Sequence, residues 1–544
     1  MTQTDHRDAQ LIPIRRALLS VADKRGIEDL ARCLASFGCE LIASGGTRDH
    51  LASAGIHSTD VSELTGNPSA FEGRMKTISF SLASALLFDR DRHGDEAERL
   101  GIVPVDMVVC SFYPFAEARA RGLPLEELVE FIDIGGPTMV RAAAKNARYV
   151  AVVTDCADYP RLQAELTQHE GALSLETRRG LMREAFALTA DYDAAISTAL
   201  DENAGASSLR IAMERGRPVR YGENPHQRAT IYRIRGATHA LHDCPLLHGK
   251  ELSYNNMVDL QRALEAVRDL PRHGVAIIKH TNPCGLADAE DQHRAFELAW
   301  EGDPISAFGS VVAFSTPLSL ETAQFLELGH PDKARRKFIE VIAAPRFQDE
   351  ALVYLRQHRN LRVVVADAKR LDSPTEIRVA MNTALLQATD RRLLEELTPV
   401  GECNRDLDRP LIEFGLTAVR QLASNAIAVV HRVPDGACQL LGMGCGQPNR
   451  VGAIALALTA CMATLARRHP EPAGFDAFVS ETLACAVLTS DAFFPFPDNV
   501  DACARGGIPV VVQPGGSIRD PEVIQRAHEC GITMVFSGLR HFRH

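Results

Sequence analysis

Short apolar runs of strand length recur along this chain with helical segments between them, and that alternation narrows the fold more than any other feature. Ahead of residue 200, positions 16–21, 40–43, 106–110 and 149–153 read as strands and 26–37 as a helix. Strands joined through helices at this spacing predict an α/β fold: a doubly wound, mostly parallel sheet with binding loops at the strand carboxyl ends. A small polar stretch at 201–208 reads as a linker, so the expected domains are 1–205 and 210–544. The second carries strands near 275–279, 309–314, 362–366, 425–430, 508–512 and 532–536, and helices that include 453–467 and 474–488. The charge run at 89–99 reads as a solvated loop or helix face, and no short-period repeat is evident.

Composition removes whole classes of function. A net charge of −11 argues against nucleic acid as a partner, because phosphate contacts need clustered Lys and Arg. A phosphorylated ligand would have to be held by local cationic pockets against an unfavourable overall field. No apolar stretch approaches the roughly 20 residues of a membrane span. The polar N-terminus lacks the apolar core of a signal peptide, so the expectation is a cytoplasmic protein with no membrane partner. The 13 cysteines are scattered among apolar neighbours without a Cys-x-x-Cys pair, as buried small hydrophobes rather than disulfides.

In Val275-Ala-Ile-Ile-Lys-His-Thr-Asn-Pro-Cys-Gly285 an apolar strand ends in Lys279-His280, and Asn282-Pro283 with Gly285 reads as the turn that ends it. Lys279 offers a cation and His280 a proton-transfer group whose charge changes near neutral pH. Both reach one cleft only if the backbone turns there. Ser44-Gly45-Gly46-Thr47 falls between a strand and a helix, where free backbone N–H groups can hold an anion. Ile132-Asp-Ile-Gly-Gly-Pro-Thr138 opens a helix through Gly135, Gly136 and a proline, with Asp133 just ahead and Lys145 further on as candidate proton carriers. Arg220-Tyr-Gly-Glu-Asn-Pro-His-Gln227 crowds hydrogen-bonding groups into one loop. Ser490-Asp-Ala-Phe-Phe-Pro-Phe-Pro-Asp498 sets stiff apolar walls between carboxylates, which suits a flat heterocycle. Taken singly, each has a plainer reading as an exposed pair, a tight turn, a capped helix, a solvent loop or a core corner. Other chemistries fail at single positions. Cys244 breaks a P-loop, Gln447 breaks a dinucleotide fingerprint, Ala287 occupies the second cysteine position of a zinc deaminase, and no His-Glu-x-x-His occurs.

Together these motifs resemble the bifunctional AICAR transformylase/IMP cyclohydrolase family over essentially the whole chain. Further carriers are Leu252-Ser-Tyr-Asn-Asn256, Asp303-Pro-Ile-Ser-Ala-Phe-Gly309, Ser424-Asn425, Gln513-Pro-Gly-Gly-Ser-Ile-Arg-Asp520 and Leu539-Arg-His-Phe-Arg-His544. The resemblance implies an N-terminal methylglyoxal-synthase-like domain, then two cytidine-deaminase-like α/β/α subdomains lacking zinc that divide at roughly 370–400. It also implies a homodimer whose transformylase sites form across the subunit interface. The implied partners are small molecules: AICAR, formyl-AICAR and a reduced folate, with 10-formyltetrahydrofolate as co-substrate and no metal in catalysis. For formyl transfer it assigns His280 to take the amine proton, Lys279 to support proton delivery and developing charge, and Asn425 to orient the shuttle. It places Arg220 and Arg540 at the nucleotide phosphate, Tyr221, His226, Glu340, Phe493 and Phe542 around the base, Gly309 in the substrate pocket and Asp498 at the folate. For ring closure it implies Lys76, Tyr113, Asp133 and Lys145 as polarising and proton-moving groups. Ser20, Lys24, Ser44, Gly45, Gly46, Thr47, Arg74, Thr77, Gly135 and Gly136 would hold that substrate and its phosphate.

The chain departs from the family pattern in both halves. Cyclohydrolases read G-R-V-K-T-L-H-P-x-x-H-G-G; here Gly73-Arg-Met-Lys-Thr77 is followed by Ile78-Ser-Phe-Ser-Leu-Ala-Ser-Ala85, and Ser111 replaces the asparagine of N-L-Y-P-F. Ala423 occupies a position that is often lysine, and Cys445, Pro448 and Asn449 alter the usual G-x-G-A-G-Q-M-S-R. Ring closure is intramolecular, so much of its entropic cost is already absent, whereas losing one preorganised donor typically costs about 10²–10³ in rate. The sequence is compatible with a weakened cyclohydrolase and with a silent one. It also leaves open a paralogue that only transfers formyl or acts on a related aminoimidazole nucleotide, and a nucleotide-binding regulator without turnover.

Overall fold

The structure is a computed structural model that describes residues 11–67, 77–204, 208–371, 373–401 and 405–544, with 202–204 as backbone only. Arg74 and Lys76 lie outside the described residues. The chain divides into two compact units, Met1–Ala212 and Met213–His544.

In the first unit, β1 Arg16–Ser20, β2 Glu40–Ala43, β3 Thr59–Asp60, β4 Met107–Cys110 and β5 Ala151–Val153 pair in parallel in the order β3-β2-β1-β4-β5. All-parallel sheets are covered on both faces, and β4 and β5 are buried along their whole length. Among its helices are α1 Ile27–Ser36, α2 Gly45–Ser53, α3 Gly135–Lys145 and α4 Leu175–Ala204. The expected strands and α1 fall where the periodicity places them. The expected linker does not begin at 201, because α4 runs on through Ala204. Polar residues without proline or glycine do not stop a helix. The charge run at 89–99 is exposed at 91–96 and 98–99, as its composition suggests, and within it Arg90 turns in to pair with the buried Asp106 at 2.8 Å.

The second unit is built on one 12-stranded sheet. Its first half contains β6 Leu246–His248, β7 His273–Lys279, β8 Asn282–Ala289, β9 Ser310–Phe314, β10 Ile339–Ala344 and β11 Arg362–Val365. Its second half contains β12 Thr398–Val400, β13 Ile427–Arg432, β14 Cys438–Gly444, β15 Ala486–Ser490, β16 Val510–Gln513 and β17 Thr533–Phe536. The order β6-β11-β10-β9-β7-β8-β14-β13-β15-β16-β17-β12 is one six-strand arrangement written twice. Each half has an antiparallel hairpin, a run of parallel strands and an antiparallel edge strand. The halves join through β8 and β14, antiparallel, with Ala287 opposite Gln439 and Asp288 opposite Cys438.

That join turns one half end over end relative to the other. The carboxyl end of β7 and the amino ends of β9–β11 therefore share an edge of the sheet with the amino end of β13 and the carboxyl ends of β14–β17. The helices α5 Tyr254–Arg268, α6 Gln292–Gly302, α7 Arg409–Arg420 and α8 Arg450–Arg468 cover it. Leu260 and Leu264 of α5 share one core with Ile412 and Leu416 of α7, whereas α6 and α8 each pack into a core of their own half.

Two expectations are corrected here. Asn282-Pro283 and Gly285 do not end the strand; they lie inside β8, and the turn is His280-Thr281. Pro283 sits at a register irregularity opposite Ile278, and β14 reaches only Ala287 and Asp288, so its missing N–H breaks no ladder bond. Gly285 serves packing instead: a Cβ there would stand 1.9 Å from the Ala299 carbonyl of α6. Gly444 of β14 meets the Ala453 carbonyl of α8 at the same 1.9 Å. The second correction is the stretch 474–488, which is a helix at Phe475–Ala484 followed by β15, because a short apolar run has no periodicity to separate strand from helix.

The glycine contacts predict that Gly285→Ala destabilises the second unit by roughly 1–3 kcal/mol through overpacking. Trp300, the only tryptophan, lies beside this contact and reports it in urea denaturation of the full chain. An unchanged midpoint would contradict the packing role.

Candidate active sites

Lys279 closes β7 opposite Asn282, leaving His280-Thr281 as a two-residue hairpin turn with φ of 49° and 66°. Turns with two positive φ angles favour Asn-Gly; a β-branched threonine there is an outlier of the kind that costs about 1–3 kcal/mol and clusters at functional sites. The turn presents the exposed His280 to solvent. Lys279 Nζ is fixed beside it by the carbonyls of Phe308 (2.9 Å) and Gly309 (3.1 Å). Gly309 has φ of 73°, and a Cβ there would lie 3.2 Å from Lys279 Nζ, so glycine keeps the ammonium in place.

One helix touches several walls around this turn. From α5, Asn255 donates to the Glu223 carbonyl at 3.2 Å, Asn256 to Glu340 Oε2 at 3.0 Å, and Asp259 Oδ1 accepts the Thr281 amide at 2.8 Å. Glu265 pairs with Arg543 of the C-terminal tail at 2.8 Å. The first contact steadies the loop that bears Arg220, Tyr221 and His226, in which Arg220 lies 5.6 Å from the Tyr221 ring centroid. Burial raises the Asp259 carboxyl above its usual range, while the Thr281 amide and the His280 charge pull it back. Neither Asp259 nor Glu265 is marked by any motif; their spacing from Asn256 on one helix is the only signal the sequence carries.

The second half contributes its own edge. The Asn425 side chain donates to the Gln447 carbonyl at 2.8 Å and accepts from Arg450 at 2.7 Å. Arg450 in turn pairs with the fully buried Asp491 at 2.5 Å. Ser424 Oγ donates to Asp491 and accepts the Arg543 amide at 3.0 Å. The tail is anchored again at His541, whose ring meets Asp390 at 2.7 Å and the Leu393 carbonyl at 2.8 Å. Alternation along this extended tail leaves Arg540 and Phe542 outward, 4.4 Å from guanidinium carbon to ring centroid. Phe494 is core, whereas Phe493 is half-buried and Asp498 exposed. The buried Gln513 holds that loop by accepting the Phe494 amide at 2.9 Å. Among the described residues the hydrogen bonds of Lys279-His280 and those of Asn425 form separate networks.

In the first unit the expected residues gather at the carboxyl ends of β1, β2 and β4. Ser20 Oγ meets Ser44 Oγ at 2.8 Å, and Ser44 precedes α2, whose first turn is Gly45-Gly46-Thr47. Buried Thr47 Oγ1 accepts from Lys24 Nζ at 2.9 Å, and burial lowers the Lys24 amine below its usual range. Ser111 Oγ accepts the amides of Ala22 (2.7 Å) and Asp23 (3.2 Å), steadying the loop that carries Lys24. Asp133 accepts the Gly136 amide at 2.9 Å and gives its own amide to Tyr192 at 2.8 Å; burial raises its carboxyl above the usual range. A Cβ on Gly135 would stand 2.5 Å from Thr77 Oγ1, and one on Gly136 2.5 Å from Asp133 Oδ2, so both glycines let these groups close on the amino end of α3. The Tyr113 side chain is exposed, while its backbone amide favours the charged form of Asp133. Lys145 is not brought to Asp133: it ends α3, ten residues beyond Gly135, or about 15 Å of helix. In place of the loop that the resemblance expects after Thr77, Ser79 caps the helix Phe80–Leu87.

A family model described as the AICARFT/IMPCHase bienzyme matches residues 143–460, and an MGS-like domain model matches 26–138. The bifunctional purine biosynthesis protein PurH of Clostridium botulinum (strain Hall) is 39% identical over 98% of this chain and 100% of its own. The protein of that name from Bacillus cereus (strain AH820) is 38% identical over 97% and 100%. A solved structure described as the crystal structure of ForH aligns at a TM-score of 0.32 and 32% identity, over 35% of this chain and 99% of that one, too low a score to bear on the fold. The relatives favour neither the paralogue nor the regulator.

Gln513→Ala should free the Phe494 amide at a cost of about 1–3 kcal/mol. Hydrogen exchange at that amide should accelerate by roughly 10- to 100-fold; unchanged protection would mean that Gln513 does not hold the loop.

Proposed function

Because the chain belongs to the AICARFT/IMPCHase bienzyme family, we propose that its two units catalyse consecutive steps of purine biosynthesis. The second unit transfers the formyl group of 10-formyltetrahydrofolate to AICAR, and the first closes formyl-AICAR to IMP. The observation that carries the assignment is the His280-Thr281 turn, held with two positive φ angles beside an ammonium pinned on two carbonyls.

The AICAR 5-amine is a weak nucleophile, its lone pair being delocalised into the carboxamide-bearing ring. Holding amine and formyl carbon in attack geometry supplies about 7–11 kcal/mol, and a placed proton carrier about 10²–10⁴-fold. The amine nitrogen bonds to the formyl carbon and gives its proton to His280; the carbon–N10 bond breaks and N10 takes up a proton as tetrahydrofolate leaves. Lys279 stabilises the oxygen charge that develops between these events. In ring closure the carboxamide nitrogen attacks the formyl carbon and water leaves. Asp133, whose burial favours the protonated carboxyl, exchanges protons at the amino end of α3. No step in this reading uses a metal ion.

Lys279 ends β7, and Asn425 lies two residues before β13, three strand spacings away, or about 14 Å across the sheet. Both ends of the Asn425 amide are already engaged. In this reading a second copy of the chain completes each transfer site, and the homodimer works in the cytoplasm. Two exposed apolar features support a second copy: the hairpin Thr375–Ala380/Thr383–Ala388, with Met381 wholly exposed, and Leu456 and Met462 on α8.

His280→Ala should reduce formyl transfer by at least about 10²-fold while leaving closure of supplied formyl-AICAR unchanged. Asp133→Asn should do the reverse by about 10²–10³-fold. Tetrahydrofolate release and IMP formation, followed separately, check both; either variant losing both activities would contradict the two-site assignment.

A further inference from the structure

We propose that Asp259 is a positioning residue for formyl transfer, its carboxylate holding the Lys279-His280 hairpin turn in the conformation that presents the imidazole. The proposal rests on the reading of His280 as the proton carrier.

The turn cannot owe its shape to its own residues. Histidine tolerates positive φ, but β-branched Thr281 at 66° is not suited to it. Within the turn, Thr281 Oγ1 at 2.6 Å and Asn282 Nδ2 at 2.9 Å both donate to the His280 carbonyl. Those bonds fix the carbonyl side. The amide side is fixed from outside: Asp259 Oδ1 accepts the Thr281 N–H at 2.8 Å, and the His280 backbone amide also favours its charged form. Lys279 and His280 are the basic side chains that face this carboxylate, so opposite charge and amide donors draw it to one place.

The helix behind Asp259 is itself fixed. Asn255, Asn256 and Glu265 of α5 reach the 220–227 loop, Glu340 and Arg543. Asp259 thus references the turn to the residues assigned to the nucleotide. Without it, Thr281 can relax to negative φ, and the imidazole swings. Asp259 accepts from the backbone of the turn, so its effect reaches the reaction through His280.

The test uses the full chain. Asp259→Ala should lower kcat for formyl transfer by about 10²-fold, the cost of a misplacement near 1 Å, with KM for AICAR changed less than about threefold because ground-state contacts remain. Asp259→Asn should stay within about tenfold of the parent, because the amide oxygen accepts the same bond. Thr281→Gly introduced into Asp259→Ala should restore at least about tenfold, because glycine adopts positive φ without support. Undiminished ring closure and the Trp300 unfolding transition report that each variant is folded; if Asp259→Ala is not, Asp259→Ser, too short to reach the amide, takes its place. An alanine variant within twofold of the parent, or a loss that neither asparagine nor the glycine double variant recovers, would overturn the proposal. A parent chain without transfer, or His280→Ala with full transfer, would remove the underlying reading and the proposal with it.

Discussion

Two residue pairs set the functional geometry of the second unit: Ala287 opposite Gln439 and Asp288 opposite Cys438. Because this join is antiparallel, strand ends that would face apart in a parallel duplication come to one edge. The join is reinforced where it is dry. Asp288, buried, pairs with Arg272 at 2.9 Å, and Gln439 donates to the Leu298 carbonyl of α6 at 2.6 Å. At the solvent rim, outside the buried contacts, Arg468 of α8 crosses to the exposed carboxylate of Glu301 of α6 at 2.8 Å. Removing one partner of such buried polar contacts leaves the other unsatisfied, which is why the two halves hold one register. His431 lies in the same cluster, and burial depresses its pKa to about 4. Its neutral form is the one that fits, so stability from this site is present above the unfolded value near 6.5 and is lost as pH falls toward 4.

The two units solve the placement of loops differently. In the first, all strands of one parallel sheet end together, and the substrate loops gather at those ends as the fold class requires. Glycines at 135 and 136 then let Thr77 and Asp133 close on a helix terminus. In the second, opposite strand ends are mixed by the join, and α5 supplies the common reference that a parallel sheet provides by itself.

What could be read from the residues follows from this contrast. The first unit was legible because its apolar runs are separated by amphipathic helices of different period. β8 was not, since Pro283 and Gly285 carry turn signatures while serving an unpaired strand edge and a helix contact. The duplication left no repeat in the sequence because only burial and strand order are shared between the halves, and many residues satisfy both. Lys279 and His280 were legible from the motif they sit in, whereas Asp259 was not: a carboxylate on a helix announces nothing until the turn it caps is folded against it. Lys145 shows the opposite limit. Its distance along the chain from Asp133 suggested a pair, and the straight rise of α3 separates them.

In the proposed dimer, Lys279-His280 of one chain works with Asn425 of another, and subunit complementation distinguishes that arrangement from a site within one chain. His280→Ala and Asn425→Ala chains, each inactive alone, would be co-expressed with different affinity tags and their mixed population assayed for formyl transfer. If sites form between copies of a twofold dimer, each heterodimer holds one intact site, and random pairing should restore about a quarter of the parent activity. Activity no higher than that of either variant alone would show that both residues must come from the same chain, and would rule out the shared site.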